Sequence, residues 1–384
     1  MKHKHTIKYF SMALAAACIL AMLALLAGCG MRTSEKDESV GLSFYLNAAK
    51  DGYYVQADNL KTEYNIPAEY KGKPVIGIIQ EGFLWAKNYT ALTVPSSLVY
   101  VGPSGLTYKE DVKYNEYQGG YYVGNSQNPY VILVYAYGEH VVVADTCKSI
   151  CGEAISANVK SLTIPASVEY ISPYAFDKAA GISNENGTVN TGLVSVTVDE
   201  QNAHYKSVGT KMVLNKSGTR LLCLIPDANL TIPATVEFVE AGAILYGYDH
   251  CISYNEDNSL YIPSENNPYF LLLYAGGSIR DGVKVIAGYA CQNGQYVIPD
   301  SVVQLLPKAF YGNNVTATAT SGGWFNADEY LDGMAYDFAV SGAKYDKDFK
   351  ATTVYLKGGE YTKIIVDEPP FVNWNLQEFR RYTN

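Results

Sequence analysis

The stretch LTIPASVEYISPYAF, Leu162 to Phe176, returns as LTIPATVEFVEAGAI at Leu230 to Ile244 with eight of fifteen positions unchanged, and again as YVIPDSVVQLLPKAF at Tyr296 to Phe310. Repetition of this kind decides the fold, because like residues recur to fill equivalent places. With the Ile or Val before the proline as position zero, apolar residues stand at +4, +7 and +12 in Val94, Leu98, Val101, Leu106; Ile164, Val168, Ile171, Phe176; Ile232, Val236, Val239, Ile244; and Ile298, Val302, Leu305, Phe310. Two copies keep the spacing without the proline: Val143, Cys147, Ile150, Ile155 and Ile279, Val283, Ile286, Cys291. A seventh, Ile66, Val75, Ile78, Phe83, carries five extra residues, with Glu69 to Lys73 placed to loop out. The last apolar residue always follows a small one: Gly82, Gly105, Ala154, Ala175, Ala243, Ala290 or Ala309.

Steps of 4, 3 and 5 fit neither a helix nor a long strand. They predict a short strand, a turn at the proline, a second short strand and a tight coil. So small a unit cannot bury its own apolar face and must stack on its neighbours, which makes a solenoid. Cys147 and Cys291 occupy apolar slots and read as small buried hydrophobes. Cys151, Cys223 and Cys251 complete an odd set without a C-x-x-C pair, which argues against a zinc ribbon or a dithiol redox site.

The units resemble the BspA-like class of bacterial leucine-rich repeats, whose signature is an Ile-Pro step, a Val-x-x-Ile strand and a terminal Ala-Phe. The likeness covers residues 43–312 and lacks the L-x-x-L-x-L-x-x-N row of the commoner class. It implies a mainly β leucine-rich-repeat solenoid that works by adhesion, binding proteins or glycans at a cell surface without enzymatic activity.

Two longer cassettes interrupt the units, from Tyr114 and from Tyr254. Each carries Asn-Pro-Tyr (Asn128 to Tyr130, Asn267 to Tyr269), an apolar run and Tyr-Ala, which predicts a β-hairpin insertion turned at the Asn-Pro step. A third insertion from Val196 predicts two strands about a turn at Asn215 to Gly218. Residues 313–384 alternate apolar and polar, as in ATTVYLKGGEYTKIIV, and predict a small β segment that caps the open end.

The first 28 residues hold Lys2, Lys4 and Lys8, no acid, and an apolar run from Ala13 to Leu26 that closes on Leu-Ala-Gly-Cys at Cys29. That is an export signal, and its end resembles the lipobox of bacterial lipoproteins, which implies cleavage before Cys29 and a diacylglycerol on its sulfur. A short uncleaved anchor is the alternative; either form places the protein outside the cytoplasm. Residues 29–42 read as a polar tether on the lipid anchor in the bacterial cell membrane. Loss of three lysines takes the formal charge from −9 to −12, and no basic run exceeds Arg380-Arg381, so nucleic acid is excluded as a partner.

No catalytic or metal constellation emerges. His140, His204 and His250 have no second ligand at metal spacing, the nearest string to G-x-S-x-G is Gly102-Pro103-Ser104-Gly105-Leu106, and acid pairs such as Asp199-Glu200 fall in turns. No cofactor is implied. The compositional oddity is 34 tyrosines. Slot +6 holds Tyr100, Tyr170 and Phe238, with Glu169 and Glu237 before two of them; being next to a buried +7 residue on a strand, it should face outward, where the rings either stack to stabilise the coil or form an acidic aromatic strip for a ligand. A glycan-binding module and a hydrolase with an unrecognised site stay open as other readings.

Overall fold

In the computed structural model the chain is described over residues 34–319, apart from 48, 80, 181–191, 226, 228–229, 241, 246–257 and 307–308, and then in strands at 323–326, 339–340, 353–355 and 379–382. The expected signal peptide, Cys29 and the start of the tether lie outside these residues, as does Cys251. The fold is a mainly β solenoid of stacked coils; among the described residues the helical structure is a single 3-10 turn, Asp177–Ala179.

Each coil turns two corners. The first follows slot zero, where the +4 N–H donates to the +1 carbonyl: Leu98 to Pro95 (3.1 Å), Val236 to Pro233 (3.0 Å), Val302 to Pro299 (3.1 Å) and, without proline, Cys147 to Ala144 (2.8 Å). Proline suits +1 because the strand has ended there and no ladder donor is required of it. A two-residue strand comes next: Tyr100–Val101, Ser149–Ile150, Tyr170–Ile171, Phe238–Val239, Val285–Ile286 or Gln304–Leu305. The second corner binds the +11 N–H to the +8 carbonyl, as in Gly105 to Gly102 (2.8 Å) and Ala175 to Ser172 (3.1 Å).

That second corner needs a backbone the sequence did not announce. The +10 residue has positive φ in six coils: Glu81 (56°), Ser104 (51°), Glu153 (58°), Tyr174 (64°), Gly242 (73°) and Tyr289 (60°). With Pro103 or Pro173 before it, the corner has the composition of a type II turn, yet only one of the six is glycine. The others hold a left-handed backbone that costs about 1 kcal/mol each and persists because the stacked coils leave no alternative path.

The apolar slots point inward as predicted. Val94, Leu98, Val101, Ile164, Val168, Cys147, Ile150, Ile155, Val283, Ile286, Cys291 and Val302 are fully buried, with Phe176 1% exposed. Ile244 differs: it is half-buried, and its neighbour Leu245 enters the core instead. The small residue before the plug supplies the link between coils. Its carbonyl accepts an N–H from the preceding turn of the chain in all seven cases: Ala57 to Gly82, Phe83 to Gly105, Ala136 to Ala154, Ile155 to Ala175, Leu224 to Ala243, Ala275 to Ala290 and Cys291 to Ala309, at 2.7–3.0 Å. A Cβ on Gly105 would stand 2.7 Å from the Ile79 carbonyl oxygen, which is why that coil carries no side chain there.

The hairpins are not loops thrown out of the solenoid. In each, the returning strand takes a coil's place in the parallel ladder: Ile132–Leu133 pairs with Ser149–Ile150, Leu271–Leu272 with Val285–Ile286, Arg220–Leu221 with Phe238–Val239, and, unforeseen at the N-terminus, Tyr54–Val55 with Gly77–Ile78. The described residues thus form four modules, each a hairpin or meander followed by one or two coils. The Asn-Pro step is a clip rather than the hairpin turn in the second cassette, where Asn267–Tyr274 is a strand and the turn lies at residues 265–266. Asn128 and Asn267 each accept the N–H of the tyrosine two residues on and donate from Nδ2 to the following coil, at Thr146 (2.9 Å) and Gly282 (2.6 Å). The turn expected at Asn215 to Gly218 is present, with the Gly218 N–H donating to the Asn215 carbonyl.

At the ends, Glu35–Asp37, within the stretch read as tether, pairs with Leu42–Leu46. Phe310–Ala319 runs on across residue 312, parallel to Cys291–Ile298, and Phe379–Tyr382 pairs antiparallel with Gln304–Leu305, so the last coil's strand has a hydrogen-bonded neighbour.

Three substitutions test this inside and corner assignment by urea denaturation. Phe176→Ala, which empties a buried plug, should lose roughly 3–5 kcal/mol, whereas Tyr170→Ser, on a half-buried outward slot, should lose well under half as much. Gly242→Ala adds a Cβ at φ 73° and 2.8 Å from the Tyr174 Cα, and should cost at least about 1–2 kcal/mol.

Candidate binding surface

The residues expected to form the +6 strip fall into two groups. The Tyr100 and Tyr170 rings meet, with centroids 4.9 Å apart, and Tyr54 stands edge-on to Tyr100 at 5.2 Å. Tyr100 packs on a small cluster of Tyr45, Tyr54 and Ile79 outside the main core, and both tyrosines are half-buried. Glu169 is joined to Lys148 at 2.5 Å. Phe238 belongs to another sheet, under the guanidinium of Arg220 at 5.9 Å, which binds Glu240 at 2.6 Å; Glu237 is exposed. The remaining occupants of the slot, Gly77, Ser149, Val285 and Gln304, are buried, so the outward face of the column is covered along much of its length.

Sequence reasoning did not foresee what closes the sheet edges between modules. Gln304 reaches back to Val239, accepting its N–H at 2.9 Å and donating to its carbonyl at 2.7 Å. The Tyr205 hydroxyl accepts the Ile171 N–H at 2.9 Å, and Asn202 Nδ2 donates to the Pro165 and Val168 carbonyls. Burial pushes the Tyr205 phenol up to about 12.

A denser aromatic surface sits on the second module. Its meander is Asn115–Tyr117, Gly120–Val123 and Ile132–Ala136; side chains alternate along Gly120–Val123, and a register shift between Tyr121 and Tyr122 sets Tyr135 opposite Tyr121 and Leu133 opposite Tyr122. Tyr122, Leu133 and Val134 are buried, while Tyr121 and its cross-strand partner Tyr135 face outward. Tyr108, from the loop after the second coil, lies nearly parallel to both, 5.5 Å from Tyr121 at 6° and 4.7 Å from Tyr135 at 20°. Tyr114 and Tyr137 complete the group at 5.6 and 4.6 Å from Tyr121. All five rings are half-buried.

The rim of this group is acidic. Tyr137 donates to Glu116 Oε2 at 3.2 Å, and burial followed by the Glu116 charge raises its phenol above the ordinary value. Burial, then Tyr121 and the Glu110 charge, raise that of Tyr108. Glu110, Asp111 and Glu116 are exposed, whereas Lys109 turns inward, donating from Nζ to the Phe83 and Ala86 carbonyls beneath the Tyr89 ring. The second cassette carries Leu260 and Tyr274 in the places of Tyr121 and Tyr135, so that pair of rings is not repeated there.

Among the described residues no three His, Cys, Asp or Glu side chains come together as a metal site, and no helix is long and apolar enough to cross a membrane. Cys147, Cys151, Cys223 and Cys291 are buried free thiols; burial raises all four, Cys147 to about 12, so they have packing roles and no nucleophilic character at neutral pH. His140, exposed, touches Ser161 Oγ at 2.8 Å.

No family model and no curated protein matches the sequence. Among solved structures, the chain is similar to the pneumococcal vaccine antigen PcpA, at 12% identity and a TM-score of 0.30 over 85% of this chain and 99% of that one. It is similar also to a leucine-rich repeat protein from Eubacterium ventriosum, at 14% identity and TM-score 0.28 over 87% and 95% of the two chains, and to a leucine-rich cell surface protein from Faecalibacterium prausnitzii, at 14% and 0.24 over 80% and 99%.

The Tyr114 phenol accepts the Lys109 N–H at 3.0 Å, and burial pushes its pKa up to about 12. A raised folded-state value means the contribution is complete below about pH 10 and is lost as pH rises through 12. Urea midpoints taken from pH 8 to 12 should therefore fall more steeply above pH 10 in the wild type than in Tyr114→Phe. Parallel curves would show that this phenol does not titrate with unfolding.

Proposed function

We propose that the chain is a lipid-anchored extracytoplasmic binding protein, held to the bacterial membrane through Cys29, whose solenoid presents a tyrosine surface to a protein or glycan ligand at the cell surface. The observation that carries this reading is the group Tyr108, Tyr114, Tyr121, Tyr135 and Tyr137, five half-exposed rings gathered on and beside one face of a sheet. Tyrosine supplies contact area at a low ordering cost together with a polar tip, and a folded globular surface seldom gathers so many without use. The ladder beneath keeps the strands in register, so the rings are preorganised for a partner. The repeat stack and the buried thiols support binding rather than catalysis. The pair Tyr100 and Tyr170 is a second, smaller aromatic surface, and Phe238 would act separately from it.

Metabolic labelling with a fatty acid tests the anchor: Cys29→Ala should abolish labelling and leave the precursor uncleaved at this site, and retained labelling would refute lipidation there. Pull-down from cell-surface extracts with residues 30–384, together with a glycan array, tests the surface. Tyr121→Ser with Tyr135→Ser should weaken capture about tenfold or more, while Tyr100→Ser, Tyr170→Ser and Phe238→Ser together change it little. The reverse pattern would move the site to the +6 column.

A further inference from the structure

We infer that the tyrosine group of the second module docks an extended peptide carrying arginine or lysine side chains, added alongside the strand Asn115–Tyr117. This deepens the binding role proposed above and rests on it. The strand lies at the open end of its sheet, next to Gly120–Val123, and no described strand pairs with its outer side. Asn115 and Glu116 are exposed there. An unpaired edge of this kind offers backbone N–H and C=O groups to an incoming strand, which a sugar could not use as a ladder.

The charge of the surface selects the side chains. Glu116 sits on the edge strand itself and holds the Tyr137 hydroxyl, and Glu110 lies close enough to act on the Tyr108 phenol. Of the two lysines in the connecting loop, Lys109 is committed to carbonyls below the surface, leaving Lys113 against Glu110, Asp111 and Glu116. A chain of formal charge −9 adds to the same field. Guanidinium groups are flat and weakly hydrated, lie against tyrosine rings and donate in parallel to carboxylates, so both features of the surface suit them.

The test is fluorescence anisotropy with residues 30–384 and a labelled octapeptide of alternating Thr and Arg, its Thr-Glu counterpart, and a Thr-Arg peptide N-methylated at alternate residues. The Thr-Arg peptide should bind saturably and more weakly as salt rises; the Glu and N-methylated peptides should bind at least about tenfold less. Glu110→Gln with Glu116→Gln should weaken binding about tenfold, whereas the pair Glu200→Gln with Glu265→Gln, exposed and on later modules, should not. Equal loss in both pairs would mean nonspecific attraction to an acidic protein and overturn the inference. So would absence of Thr-Arg binding, or full binding of the N-methylated peptide. Should surface capture by residues 30–384 persist without Thr-Arg binding, the choice of partner falls while the general binding role stands.

Discussion

The structure depends on one hydrogen bond made again at each turn of the solenoid, from an N–H of one turn to the carbonyl of the small residue in the next. At 2.7–3.0 Å it brings two backbones together with no side chain larger than a methyl between them. Each such bond contributes only about 1 kcal/mol, but leaving its partners buried and unmet would cost 1–3 kcal/mol apiece. The requirement then propagates. The residue before the small one must take a left-handed backbone to bring the carbonyl round, and the residue after it must point inward, where Phe83, Leu106, Ile155, Phe176 and Cys291 fill the core. The strained corner and the packed plug are two consequences of the same contact.

This explains which parts of the fold were legible in the sequence. Apolar slots at 0, +4, +7 and +12 are visible because burial admits few residue types, and the same rule identified Cys147 and Cys291 as core residues. The left-handed corner was not visible, because glycine is its usual signal and Glu81, Ser104, Glu153, Tyr174 and Tyr289 stand there instead. Proline at 103 and 173 was the clue present, since it fixes the residue ahead of a type II corner. The hairpins' place in the ladder was hidden for another reason. A strand such as Ile132–Ala136 has an antiparallel partner on one side and a parallel one on the other, and its sequence records only that both faces are covered.

Tyrosine was the feature that composition flagged and could not assign. Tyr64, Tyr89, Tyr122 and Tyr261 are buried among the largest core side chains; Tyr205 closes a sheet edge through its hydroxyl; Tyr108, Tyr121 and Tyr135 lie at the surface. A ring with a polar tip fits all three settings, so residue type alone cannot choose among them. Strand alternation can: once Gly120–Val123 is known to be a strand, Tyr121 and Tyr122 must point opposite ways. Slot +6 follows the same alternation, but its outer face is covered over much of the column: Ser149, Val285 and Gln304 are buried, and Gln304 is bonded across to Val239.

The division of labour between coil and hairpin follows from where each makes its bonds. Coils are held on both sides by the parallel ladder and by the small-residue link, so most of their side chains are fixed by packing. A hairpin has one strand inside that ladder and another outside it, and Asn128 or Asn267 secures it to the next coil without using the outer strand. Outward positions on the hairpin are therefore free of structural duty. The two cassettes use that freedom differently: Tyr121 and Tyr135 stand where Leu260 and Tyr274 do, on the same cross-strand register and the same asparagine clip. The inner strand of each hairpin shares the coils' core, while its outward positions can carry different surfaces on that frame, which places the variable chemistry of this solenoid beside its strand edges rather than on its repeat slots.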